Sequence, residues 1–142
     1  MLLGVEGENI REVEVEKINK IWLKHYDDGV RAHIDYPIIP AYDILDKIAK
    51  EYPEKYCSFF YGNYLTFKQM KDSSEKVCGY LQSIGFEKGD KAIVSLPNTP
   101  HYVPIAYGIM KAGGIVVQCN PLYTTREIKY IAKTAEQKLF FA

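Results

Sequence analysis

Cysteine is scarce in this sequence: Cys57, Cys78 and Cys119 are odd in number and lie far apart. A disulfide framework is not expected from them, and no CxxC pair offers a metal or redox site, so a reducing compartment fits. An excess of one charge is missing too. Lys+Arg and Asp+Glu are 18 each, whereas a duplex nucleic-acid binder needs a positive surplus to displace counterions. No apolar run approaches the roughly 18–20 residues of a membrane span. The first residues carry Glu6 and Glu8 where a secretory leader would carry bases, and the expected location is cytoplasmic. Internal repeats and low-complexity stretches are lacking as well.

What is present is a chain of 142 residues, 47% hydrophobic and 25% charged. That is the size and composition of one folded domain, burying about two thirds of its unfolded surface. Its organising stretch runs from Lys91 to Cys119. Ala92, Ile93, Val94 and Leu96 form a short β-branched run, which suits a strand covered on both faces. His101 to Ala112 is a nearly all-apolar helix, stopped by Gly113-Gly114, and Ile115 to Cys119 is a second buried strand. Strand, helix and strand in this order predict a right-handed parallel crossover.

Around this unit the other elements fall in order. Met1 to Asn9 reads as an arm. In Ile10 to Tyr26 the alternation Val13-Glu14-Val15-Glu16 suggests a strand, but Ile10, Val13, Ile18, Ile21 and Trp22 lie within a helical stripe, and helix is favoured. Asp27-Asp28-Gly29 ends it. Trp22 and the stiff Tyr36-Pro37-Ile38-Ile39-Pro40 are expected to cover part of a core rather than form a partner-binding patch. Pro40 opens a helix carrying Leu45, Ile48 and Ala49 on one face. Tyr56 to Tyr61 and Tyr64 to Phe67 read as a hairpin turning at Gly62-Asn63. Thr66 with Gln69 has capping-box spacing, and the helix that follows ends at Gly85, with Ser73 and Ser74 as weak points. Thr124 with Glu127 repeats that spacing before a helix of Ile128, Ile131, Ala132 and Ala135. Leu139 to Phe141 begins a third apolar strand. The fold class is therefore α/β: part of a doubly wound sheet, three parallel strands with crossover helices, plus an antiparallel hairpin and N-terminal helices.

Chemistry in such sheets sits beyond the carboxyl ends of the strands, where helix N-termini point N–H groups outward. Two complete loops lie there. Pro97-Asn98-Thr99-Pro100 loses two donors to proline, and Asn120 to Thr125 has no glycine to admit an anion closely. Gly113-Gly114 follows a helix and precedes a strand, which makes it a C-cap rather than a phosphate loop. His101 could line a crevice but reads as a surface histidine. His25 and His33 lack partners at metal-ligand spacing. Cys119 has no identifiable base and reads as a small buried apolar residue. Asp27-Asp28 reads as a turn, and Asp43 and Asp46 as solvated charge on a helix. The twelve tyrosines lack the pattern of a single-strand binder. No catalytic, cofactor-binding or metal-binding residue is assigned.

Several stretches resemble a known family. Tyr64-Leu65-Thr66-Phe67 with Lys68-Gln69-Met70 resembles the first core motif of the adenylate-forming (AMP-binding) superfamily, and Met110 to Val117 resembles its second. Leu96-Pro97-Asn98, Asn120 to Thr124 and Tyr26 to Val30 are similar to fatty acyl-CoA synthetases (long-chain fatty-acid–CoA ligases). Gln118 and Thr125 stand where that family commonly has proline. The resemblance implies activation of a carboxylic acid with ATP to an acyl-adenylate, release of pyrophosphate, and transfer of the acyl group to coenzyme A. It also implies that the phosphate loop, the ribose-binding aspartate and the C-terminal lysine lie beyond Ala142. Residues 1–35 would be an arm and helix, and 36–142 the N-terminal part of the AMP-binding domain, cut before the phosphate loop. The expectation is then an inactive portion that binds no cofactor itself, with ATP, magnesium and coenzyme A belonging to the parent enzyme. Its partners would be the remainder of that domain and further copies of itself, with a fatty acid as the parent's substrate. The alternatives are a ligase for an aryl or other carboxylic acid, or a stand-alone α/β interaction module.

Overall fold

The computed structural model describes residues 21–142, which fall into two units divided between Pro37 and Ile38. In the first, Ile21–His25 forms a single 3₁₀ turn with Lys24 and His25 at its end. Asp27 accepts a hydrogen bond from the Val30 N–H at 3.1 Å, and Gly29 takes φ +90°, so Asp27-Asp28-Gly29 is the turn its residues suggest. Most of the helix expected over Ile10 to Tyr26 lies outside the described residues. Within the Tyr/Pro stretch expected to cover part of a core, Tyr36 and Ile38 are both largely exposed. Two prolines restrict the residues before them to extended backbone.

The second unit starts with α1 (Ala41–Glu51), which buries Leu45 and Ala49. Pro40 sits at its N-cap, one place before the first helical residue. A hairpin follows, β1 (Tyr56–Phe60) antiparallel to β2 (Asn63–Thr66). Its turn is Tyr61-Gly62, not Gly62-Asn63: both central residues have positive φ, 45° and 83°, and Asn63 pairs with Phe60. A two-residue turn of this hand favours glycine at its second place, so the chain slips one residue to put Gly62 there. Thr66 and Gln69 exchange both capping-box bonds at the start of α2 (Phe67–Ser83).

β3 (Lys91–Val94), α3 (Tyr102–Lys111) and β4 (Ile115–Gln118) form the expected crossover, and α4 (Thr125–Ala135) leads to β5 (Leu139–Phe141). All three strands are parallel, in the order β4-β3-β5. Ala92, Ile93 and Val94 of the middle strand are fully buried. Ala92 and Val94 join Leu81, Phe86 and Ile109 in the core beneath α2 and α3. Ile93 points to the other face between Val117 and Phe140, its partners in register. Both α2 and α3 end in Schellman motifs. The Phe86 N–H reaches the Leu81 carbonyl and the Gly114 N–H the Ile109 carbonyl, each at 2.9 Å, with Gly85 and Gly113 at positive φ. Gly114 has a second task. A Cβ there would lie 2.3 Å from the Phe86 ring, so its missing side chain lets the β4 backbone close onto the core.

The start of β5 is tied to the start of its neighbour β3 by a polar clamp. Lys138 Nζ donates to Asp90 Oδ2 at 2.7 Å and to the Gly85 carbonyl, while the same Asp90 oxygen accepts from the Glu87 N–H. The Lys138 bond, then the Glu87 N–H, hold the Asp90 carboxyl below its usual range. A depressed carboxylate stabilises the fold above its unfolded pKa, near 3.9, and loses that contribution as pH falls through the folded value. Asp90→Asn is therefore expected to lower the melting temperature at pH 7 and to leave it little changed at pH 2. Melting curves across that range check this; equal shifts at both pH values would refute the clamp. Asp72 and Glu127, also depressed, keep part of the acid sensitivity.

Candidate functional site

The sheet order decides where a ligand could sit. From β3 to β4 the chain steps one way; from β4 to β5 it steps back across β3. Right-handed crossovers in opposite directions put α3 and α4 on opposite faces, so the loops leaving β3 and β4 diverge and open a crevice between two adjacent strand ends. A hollow of about 600 Å³ lies there, walled by Leu96, Pro97 and Asn98 on one side and Gln118 to Leu122 on the other.

Its chemistry is amide and apolar. The loop N–H groups turn inward: Thr99 donates to the Pro97 carbonyl, Leu122 to Asn120 Oδ1, and Tyr123 to the Asn120 carbonyl. Pro97, Pro100 and Pro121 have no N–H to give, and no lysine or arginine lines the hollow. At α4, Thr124 and Glu127 form the expected capping box, which takes the Glu127 N–H. The residues present do not fit a triphosphate, which needs several unpaired N–H donors and a cation. Among the described residues no group of three or more His, Cys, Asp or Glu is placed to hold a metal. Nor, among them, is any helix long and apolar enough to cross a membrane.

The single residues singled out by sequence distribute as follows. His101 takes the N-cap position of α3 without making a cap bond, is exposed, and lines neither this hollow nor the cleft described next. His25 is exposed, and His33 Nε2 lies 3.3 Å from Asp35 on the surface. Cys119 is buried at the strand end, its Sγ 3.8 Å from the Asn120 carbonyl. Asp43 and Asp46 part company. Asp43 is half-buried and makes no ion pair among the described residues, but Asp46 Oδ1 receives the Lys111 ammonium at 2.5 Å, with Glu75 of α2 at 4.0 Å. Lys111 is only 9% exposed. The reading of Asp46 as solvated charge is thus corrected: it joins α1 to α3. The signal was a lone lysine ending an otherwise apolar helix.

Sequence reasoning also missed a second hollow, a cleft of about 420 Å³ between α1, the hairpin and the start of α3. Asn98 lies on both it and the crevice at the strand ends. The walls of the cleft come from elements that meet only in the folded chain, and no local pattern announces such a hollow.

The fold recurs in solved structures. VinN superposes with a TM-score of 0.72 at 22% identity, covering 78% of this chain and 29% of that one. The Klebsiella oxytoca NpsA N-terminal subdomain in complex with 3-hydroxyanthranilyl-AMSN gives 0.67 at 21% identity, over 71% and 26%. Sequence narrows this further. Residues 45–142 match the AMP-binding enzyme family, and the chain belongs to it. It is 39% identical over 117 residues to a long-chain-fatty-acid–CoA ligase of Bacillus subtilis, which covers 82% of this chain and 21% of that protein. A probable 4-coumarate–CoA ligase of Dictyostelium discoideum is 36% identical over 110 residues, 72% of this chain and 20% of the relative. The chain thus spans about a fifth of the length of the curated relatives it matches.

Proposed function

We propose that this chain is the N-terminal part of the AMP-binding domain of a long-chain fatty-acid–CoA ligase, residues 36–142 forming scaffold and residues 1–35 an arm and helix before it. The observation that carries the reading is the match of 82% of the chain to the Bacillus subtilis ligase. A ligase acting on an aryl acid is the second reading, favoured by the likeness to the Dictyostelium relative. In the parent reaction ATP supplies the adenylyl group for the acid, and coenzyme A takes the acyl group. This chain's part is to hold the strand ends and loops that border the reacting groups. Three free cysteines suit a reducing cytoplasm. Among the described residues β4 and β5 each pair on one side only, and Ile115 and Phe140 are half exposed, so self-association belongs to the proposal.

The chain alone is expected to form no acyl-CoA from ATP, magnesium, coenzyme A and palmitate, because its loops offer no cradle for a triphosphate. Turnover would overturn that. In sedimentation at micromolar concentrations the same preparation should show dimers or larger species; a monodisperse monomer would remove self-association from the proposal. The scaffold role is tested by a chimera in which residues 38–142 replace the matching stretch of the Bacillus subtilis ligase. Retained palmitoyl-CoA synthesis is expected, and a folded but inactive chimera would refute it.

A further inference from the structure

We propose that the open edge of β4 pairs with the same edge of a second copy of this chain, antiparallel about a twofold axis at Val117. Ile115 donates its N–H to the Asp90 carbonyl at 2.8 Å, and Cys119 donates to the Val94 carbonyl at 3.0 Å. Backbone groups alternate along a strand. Ile115, Val117 and Cys119 therefore face β3, while Val116 and Gln118 turn their N–H and C=O groups to the open side. Among the described residues β4 ends the sheet, and no strand pairs with that side. The inference rests on the self-association proposed above and adds to it the surface and the register.

β4 carries none of the devices that blunt a strand edge. Ile115–Gln118 holds no charge and no proline, and its register runs without a bulge from Lys91↔Ile115 to Val94↔Gln118. By contrast, β5 has three residues with Lys138 just before them, and the hairpin shifts register between Tyr56 and Ser58. The β4 edge also matches itself. With Val117 opposite its own copy, Val116 of each chain faces Gln118 of the other, and both pairs exchange N–H···O bonds. The two valines form the closer, non-hydrogen-bonded pair between them, and β-branched side chains suit that pleated surface. A foreign strand would satisfy one such edge. A second copy satisfies two at once, in a continuous sheet of six strands, three from each copy. Charge allows it too: the formal net charge at pH 7 is zero, so two copies meet without overall repulsion.

The test combines sedimentation of this chain with amide hydrogen exchange. Gln118→Pro removes an outward N–H from each copy and leaves the ladder to β3 intact, so it should raise the dimer dissociation constant about tenfold or more. Gln118→Ala keeps the N–H and should hold that constant within about twofold. In the unmodified chain the Val116 and Gln118 amides should exchange about tenfold more slowly above the dissociation constant than below it. That measurement needs no variant, so it decides the question if Gln118→Pro does not fold; circular dichroism checks the fold. A folded Gln118→Pro chain that still dimerises, a Gln118→Ala chain that loses the dimer equally, or amides that exchange alike at both concentrations would each overturn the proposal. The readings fail separately. A monodisperse monomer removes this inference together with self-association and leaves the ligase reading. An inactive chimera beside a dimer that Gln118→Pro dissolves removes only the ligase reading.

Discussion

Adding one methyl group at Gly108 is expected to cost about 1–3 kcal/mol of stability, while adding the same methyl at Gly79 is expected to gain about 0.5–1 kcal/mol. Both glycines are helical, in α3 and α2 respectively. Their surroundings differ. A Cβ on Gly108 would lie 2.5 Å from Val77 Cβ and 2.9 Å from the Ser74 carbonyl oxygen, whereas nothing lies within 4 Å of one on Gly79. At Gly108 the obstacle is partly backbone, so rotamer changes cannot remove it and α3 must move away from α2. Val77→Ala leaves the Val77 Cβ in place and should rescue only part of the loss. At Gly79 alanine lowers the entropy of the unfolded chain and opposes nothing. Urea denaturation at constant m-value reads both effects. A neutral Gly108→Ala would mean that the two helices are not in close contact there.

The same crossing shows where sequence reading stops. Ser74 reads as a weak helix former, yet it is fully buried, its hydroxyl donates to the Lys71 carbonyl at 2.7 Å, and its backbone oxygen lies against Gly108. Its smallness is what α3 requires, and that requirement comes from a residue 34 positions away (108 minus 74). Features written in short windows were legible: the buried β3 run, both capping boxes, the glycines that end α2 and α3, and the parallel crossover. The hairpin's existence was legible too, but not its register, because Gly62 can serve either of two turn positions and cross-strand pairing decides between them. Of the site, the two loops at the strand ends could be placed from sequence. The cleft and the Asp46–Lys111 pair could not, since each joins elements that meet only after folding.

That pair gives an asymmetric pattern of mutant effects. Lys111 ends α3 with its side chain 9% exposed, against Asp46 of α1, whose side chain is 35% exposed. Glu75 of α2, itself paired with Lys71, lies 4.0 Å from the same ammonium. Asp46→Ala leaves a nearly buried cation with only this more distant partner, and is expected to cost about 2–3 kcal/mol, somewhat less than breaking a fully buried pair. Lys111→Met removes the buried charge and keeps the packing of the stem. The carboxylate it abandons can turn to water, so about 1 kcal/mol or less is expected. Asp46→Asn should fall between them, because its amide oxygen still accepts a hydrogen bond. The double variant Asp46→Ala with Lys111→Met should then be more stable than Asp46→Ala alone, since the second change takes away the charge that the first left unpaired. Salt should weaken these differences little, because the ammonium is shielded from solvent ions. If the two single costs simply add in the double variant, the ion pair does not join α1 to α3, and α1 is held by Leu45 and Ala49 alone.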